Sequence, residues 1–175
     1  NQGTVKTSGL DFQMAYTMPT EFIGPESELR ASVFASYLID FKVEELPGVV
    51  INYAGTASNF AGGLGQSFPR WRTNLNLDWK FSDGITWSSR VRYIDGMKNR
   101  FDRIYPGESF TGPKAITYFD TALEFNVDKI TFRVGVNNLF NTGPRTYEPN
   151  VQSGTDPSLY DVVGRRGFAS VRLRY

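Results

Sequence analysis

Charged side chains recur at two-residue spacing along the chain. Arg70, Arg72 and Asp78 stand in one stretch, and Arg90 and Arg92 in a second. Asp120 and Glu124 follow, then Arg133, and finally Arg172 and Arg174. Paired carboxylates such as Asp120 and Glu124 can do general acid–base work. The sequence contains no histidine and no cysteine. The commonest general base and metal ligand is therefore missing, and neither a disulfide framework nor a thiolate metal site can form. Catalysis would have to run on carboxylates, lysine, tyrosine or serine. The simpler reading is a hydrated wall whose arginines and acids pair with neighbouring strands.

Two other stretches invite a chemical reading. "AGGLGQ" (Ala61–Gln66) is glycine-rich but is followed by neither the helix nor the lysine that a phosphate loop needs; it reads as a flexible loop. "DGMKNRFD" (Asp95–Asp102) offers Asp95, Asn99 and Asp102 as oxygen ligands, at a spacing that does not match a calcium-binding EF-hand loop. No cofactor is expected.

The bulk properties narrow the class. The chain has 175 residues and a formal net charge of +1, so electrostatics makes no case for nucleic acid. Aromatic residues make up 15%, including 14 Phe, 9 Tyr and 3 Trp. No apolar window of about 18 residues exists, so no transmembrane helix is expected. The mean hydropathy of −0.34 suits a soluble protein, and equally a membrane barrel whose strands alternate apolar with polar.

That alternation dominates the sequence. Seven segments show it: about Val5–Thr17, Glu28–Val43, Arg70–Lys80, Ile85–Ile94, Ala115–Val127, Ile130–Asn137 and the closing Phe168–Tyr175. One face carries Leu10, Phe12, Met14 and Tyr16; Leu29, Ala31, Val33, Ala35, Tyr37, Ile39 and Phe41; Trp71, Thr73, Leu75, Leu77 and Trp79; and so on to Val171, Leu173 and Tyr175. The other face carries the arginines and acids above, with Glu28, Arg30, Ser32, Asp40 and Lys42 in the second segment. None of the apolar faces holds a charge. Such purity suits lipid, where an Arg or Lys at the midplane costs roughly 2–4 kcal/mol. Tryptophans and tyrosines gather near the ends of these faces, as in the interfacial girdles of membrane barrels.

Connection lengths agree. Short links ("MPTEFIGPES", "FSDG", "DK") alternate strictly with three long, unstructured ones. Outer-membrane barrels have short periplasmic turns and long external loops. By this parity the last segment ends on the periplasmic side and residues 1–4 lie outside. A complete bacterial barrel has an even strand number with both termini periplasmic. The expected fold is therefore all-β: an antiparallel transmembrane β-barrel segment of about seven strands from a larger barrel. A soluble β-sandwich binding module is the alternative.

Particular motifs sharpen the expectation. "FRVGVNNLFNTGPRTY" (Phe132–Tyr147) followed by "YDVVGRRGFASVRLRY" (Tyr160–Tyr175) resembles the C-terminal end of TonB-dependent receptors. That family shows a V-x-N-L-F-[DN] run, a proline, then G-R and an alternating strand with a terminal aromatic. The matching positions are Val136, Asn137, Asn138, Leu139, Phe140, Asn141, Pro144, Gly164, Arg165 and Tyr175. "FPRWRTNLNLDW" (Phe68–Trp79) and "KTSGLDFQMAYTMP" (Lys6–Pro19) are similar to its P-[RK]-W-x-x-N-L and G-[LVI]-[DE] strand openings. The terminal residue departs from the family's usual Phe, but Tyr175 keeps the ring.

The resemblance implies a bacterial outer-membrane barrel of about 22 strands, closed by a globular plug. The plug and the TonB-contacting peptide would lie N-terminal, outside this sequence, with residues 1–175 supplying the last third of the barrel. Val171, Leu173 and Tyr175 would be read by the barrel-assembly machinery. Outer-membrane lipid, the remainder of the barrel, the plug and TonB are the implied partners. Arg70, Arg72, Arg90, Arg92, Asp120, Glu124 and Arg133 would face the lumen and plug. The implied work is active import of a scarce substrate (a ferric siderophore, cobalamin or an oligosaccharide) and not covalent chemistry. A passive pore or structural barrel piece is the rival. Loop aromatics and arginines suit both sugar stacking and anionic chelates: Tyr53, Phe60, Arg100, Phe101, Arg103, Tyr105, Phe110, Arg145 and Tyr147.

Expressed alone, the chain is expected to gain its strand signal in circular dichroism only with detergent or lipid. A monomeric, cooperatively folded chain in plain buffer would remove the membrane reading.

Overall fold

The computed structural model describes residues 3–57, 67–147 and 154–174. Its elements are β1 (Val5–Pro19), β2 (Glu28–Leu46), the short β3 (Val49–Asn52) and β4 (Thr56–Ala57), β5 (Trp71–Ser82), β6 (Ile85–Ile94), the short β7 (Lys98–Asn99), the single turn α1 (Phe101–Ile104), β8 (Ile116–Val127), β9 (Ile130–Asn137) and β10 (Arg166–Leu173). The long strands form one antiparallel meander in the order β1-β2-β5-β6-β8-β9-β10, with β3 added to β2. The sheet is not closed on itself: β1 and β10 are its edges. The seven expected segments are its seven long strands, although β2 runs three residues beyond the expected end.

Register keeps the two faces apart across the sheet. Leu29, Trp79, Trp87, Leu123, Val134 and Ala169 stand side by side in one row. Arg30, Asp78, Ser88, Ala122, Gly135 and Phe168 form the adjoining row on the opposite face. A one-residue slip anywhere would push arginines into the apolar face, so the pattern fixes the register. Gly135 is required in its row. A Cβ there would lie 2.6 Å from both the Phe168 ring and the Thr121 carbonyl oxygen.

Two aromatic belts bracket the apolar face. The lower holds Trp79 and Phe81, with ring centres 5.0 Å apart, together with Trp87. The upper holds the Tyr37–Trp71 pair at 4.6 Å, Tyr93, and the Phe119–Phe140 pair at 5.6 Å. Trp71 and Trp79 are about 27 Å apart along the strand at about 3.4 Å per residue. A tilt of about 40° leaves roughly 21 Å, close to the ~25 Å apolar band of outer-membrane barrels. Two indole N–H groups find hydroxyl partners: Trp87 donates to Thr121 Oγ1 at 2.9 Å within the sheet, and Trp79 to Thr20 Oγ1 at 3.1 Å just beyond β1.

The upper end of β2 departs from the sequence reading. Gly9 pairs with Leu38 but Ser8 pairs with Asp40, leaving Ile39 as a β-bulge. Beyond it the faces exchange. Phe41 swings to the polar side and stacks on Phe68, with ring centres 4.0 Å apart. Asp40 and Lys42, expected on the polar face, move to the other and pair at 3.0 Å. Strict alternation does not carry through Ile39, a residue that the ladder skips.

Val91→Arg, mid-height on the apolar face, is expected to cost roughly 2–4 kcal/mol in the unfolding of the full-length barrel in lipid. Ser88→Arg points the other way, where Ser88 already donates to Asp78 at 2.7 Å, and is expected to leave the unfolding midpoint nearly unchanged.

Candidate functional site

The described residues of the long connections are not unstructured as expected; at one end of the sheet they fold into a cap. β4 and β7, from different connections, pair in parallel as a two-stranded sheet. Ala57, Met97, Ile116, Tyr118, Tyr147 and Tyr160 form a buried cluster, with Ile94 and Leu159 packed against it. This cluster draws on all three long connections and on the tops of β6 and β8. Backbone bonds complete it: Lys98 N donates to Gly55 O at 2.9 Å, and Arg100 N to Ala57 O at 3.1 Å. Burial pushes the Tyr160 phenol well above its ordinary range, which keeps it neutral at any physiological pH.

The third connection is fastened by the residues of the "VNNLFN" run. Asn138 takes the left-handed conformation (φ 52°), which asparagine tolerates. Its side chain closes a small ring, donating to Thr142 O at 2.9 Å and accepting from Thr142 N at 2.8 Å. Asn141 Oδ1 accepts from Arg165 N at 3.0 Å. These bonds give a physical role to a motif that the sequence offered only as a likeness.

An ionic clamp lies beneath the cap. Asp120 receives two bonds from Arg92, at 3.0 and 3.2 Å, and one from Asn138 N at 2.8 Å. Arg92 also lies over the Tyr118 ring at 4.9 Å and within 4.0 Å of Asp161. Asp161 pairs with Arg166 at 2.9 Å and accepts from Gly164 and Val163 N–H. Burial alone would raise the Asp161 carboxyl, but the Arg166 and backbone bonds outweigh it and hold it below the usual carboxylate range. No pattern in the sequence singles out Asp161 beyond its place just before the Gly164–Arg165 pair.

Below the clamp the polar face lines a groove of about 470 Å³ that includes Arg30, Asp78, Arg90, Asp120 and Arg133. Arg133 faces Glu124 at 3.7 Å, and Arg90 donates to Asn76 at 3.0 Å. The expected lumen residues therefore share one face, but Arg70 does different work. Its Nη1 donates to the carbonyls of Leu38 and Ile39 at 3.1 and 2.9 Å, capping the bulge. Arg72 and Arg70 border a smaller hollow of about 280 Å³ with Phe68 and Leu38.

The loop candidates divide. Tyr53 is wholly buried; its hydroxyl donates to Glu45, and Arg100 and Arg103 lie over its ring at 5.4 and 5.1 Å. Arg100, also buried, reaches Glu45 at 3.5 Å. Phe101 stacks on Tyr105 and meets Phe110, each at 5.6 Å between ring centres. Tyr147 is buried beside Ser67, and Arg145 donates twice to Ala115 O. Arg103 and Tyr105 keep exposed surface. Phe60 and the glycine-rich Ala61–Gln66 lie outside the described residues, as does Tyr175. Val171 and Leu173 are exposed on the edge strand β10.

The metal candidates do not converge. Asp95 Oδ1 accepts from Gly96 N and Tyr93 OH, Asn99 Oδ1 from Phe101 N, and Asp102 Oδ1 from Phe110 N. Among the described residues no three acids gather as a metal site would need.

The family model described as TonB dependent receptor-like, beta-barrel matches residues 1–139, from the start of the chain to just past β9. No curated protein and no solved structure matches the chain.

Asp161→Asn is expected to loosen the β9–β10 connection by about 1–3 kcal/mol, the usual cost of losing a hydrogen bond to a charged partner. Faster hydrogen exchange in residues 154–165 would show it. Because the folded-state pKa is depressed, this stability is present above the unfolded value and disappears as pH falls through the folded one. The wild type is thus expected to loosen below the ordinary carboxylate range, and the variant to lack that acid step.

Proposed function

Because the chain belongs to the TonB-dependent receptor β-barrel family, we propose that it is the C-terminal barrel portion of an active importer in the bacterial outer membrane. The family is one of outer-membrane transport proteins and not of enzymes. The finer reading is that this receptor binds a scarce substrate under its external cap and passes it inward when the plug rearranges, powered through TonB.

One observation carries the reading: a single sheet has an apolar, belted face and a charged face whose groove runs beneath a folded cap. The groove holds arginines and carboxylates together. Fixed charges of both signs suit a wet wall that grips a movable protein plug through ion pairs. Such pairs are individually weak where solvent reaches them, so a plug held this way can be released. Arg103 and Tyr105, the candidates with free surface, are the proposed substrate contacts. Tyr53, Arg100, Phe101 and Tyr147 hold the cap in shape instead. Val171 and Leu173, with Tyr175, are proposed as the signal read by the assembly machinery.

Whole-cell uptake by the full-length receptor tests this, with labelled ferric siderophores, cobalamin and oligosaccharides as the panel. Uptake of at least one class is expected to stop when TonB is deleted or the proton gradient is collapsed. Uptake that persists without energy would establish a passive conduit instead. Arg103→Ala with Tyr105→Ala is expected to weaken binding of the transported class about tenfold or more, as about 1.4 kcal/mol or more of lost contact does.

A further inference from the structure

The connections at the lower end of the sheet are unequal. β5–β6 and β8–β9 turn through Asp83–Gly84 and Asp128–Lys129, two residues each. Between β1 and β2 the chain makes an excursion through residues 20–27. This excursion is ordered from within. Thr20 N donates to Ser27 O at 2.8 Å, Ile23 N to Thr20 O at 2.8 Å, and Ser27 N to Gly24 O at 3.0 Å. The Thr20 and Ser27 hydroxyls meet at 2.6 Å.

It is also fastened to its neighbour. Trp79 of the lower belt donates its indole N–H to Thr20 Oγ1 at 3.1 Å, and Ser27 Oγ donates to Lys80 O at 3.0 Å. Thr20 and Ser27 are buried by these contacts.

What this rigid turn holds out is apolar. Phe22 is 83% exposed, the highest value among the described large hydrophobic residues, and Ile23 is 45% exposed. A loose loop could fold a phenyl ring back onto the barrel; this one is tied at both feet. Met18 and Tyr16, on the same face of β1 as Leu10, Phe12 and Met14, lead up from it. Around the tip stand Glu21 and Glu26, with Lys80 paired to Asp83 at 2.5 Å. Three carboxylates and one lysine beside an aromatic tip can meet the ammonium of a phosphatidylethanolamine headgroup, with the ring reaching the first acyl carbons.

We propose that Phe22 and Ile23 insert into the inner leaflet of the outer membrane, making the β1–β2 turn an interfacial anchor that continues the lower aromatic belt. The commitment to lipid comes from that continuity, since the residue that positions the turn, Trp79, is itself a belt residue. The inference rests on the apolar face being in lipid and not on transport.

The test uses the full-length receptor, in a background without other cysteines, in vesicles of phosphatidylethanolamine and phosphatidylglycerol. An environment-sensitive dye is attached in turn through Phe22→Cys, Val91→Cys and Asp128→Cys. Lipids carrying a nitroxide just below the headgroup are expected to quench the Phe22 position by more than half, with little quenching by aqueous iodide. Asp128 is expected to show the reverse. Iodide quenching at Phe22 equal to that at Asp128, without nitroxide quenching, would overturn the anchor and mark the turn as a surface for a soluble periplasmic partner. Val91 separates the two ideas. Nitroxide quenching there with none at Phe22 overturns the anchor alone, whereas iodide quenching at Val91 overturns the lipid-facing sheet itself.

Discussion

In hydrocarbon a backbone amide has no water to bond, so each one must find its partner within the protein. This structure meets that demand with one antiparallel meander from β1 to β10, whose ladder skips single residues only near the strand ends, at Ile39 and Phe81. The meander keeps every link between sequence neighbours and leaves only the outermost strands with open edges. Once the ladder is set, side chains can only point to one face or the other, and the solvents on the two sides choose which residues go where. The apolar rows, the belts, the polar groove and the register all follow.

The ladder also explains where the pattern breaks. An extra residue is tolerated near either end of the apolar face, where a strand would leave hydrocarbon for water, and the ladder skips one at Ile39 above and one at Phe81 below. The bulge at Ile39 is level with the upper belt. It turns Phe41 inward toward Phe68 and lets Arg70 cover the two carbonyls it disturbs. The bulge joins a membrane-like lower part of β2, where alternation is strict, to an upper part that behaves like a soluble hairpin. The cap above it is organised as a soluble domain is, with buried tyrosines, a two-stranded sheet and side-chain-to-backbone bonds. The arginines are divided in the same way: Arg90 and Arg133 in the groove pair across strands with Asn76 and Glu124, whereas Arg100 and Arg145 are spent on packing and on carbonyls.

Much of this was legible in the residues. Alternation located all seven long strands because its period is set by the backbone geometry of a strand, and only a bulge interrupts it. The uncharged face and the aromatic positions followed from the cost of charge in lipid. Ordering of the short and long links was visible as well, since two-residue turns leave a clear mark in Asp–Gly and Asp–Lys. Among the candidate site residues, Arg90, Arg92, Asp120, Glu124 and Arg133 could be assigned a common face for the same reason.

What the sequence could not supply were contacts between segments far apart in the chain. Tyr53 beneath two arginines and Tyr147 beside Ser67 each join two different connections, and Asp161 ties the third connection to Arg92 of β6. Neither composition nor period encodes such a meeting. The bulge was hidden likewise, because one unpaired residue is a property of two strands in register and not of either alone. The sequence by itself determined the strands and the solvent each face must meet, through a local rule of alternation. Only the tertiary structure decided which loop side chains are buried in the cap and which remain free to bind, because burial is a property of neighbours.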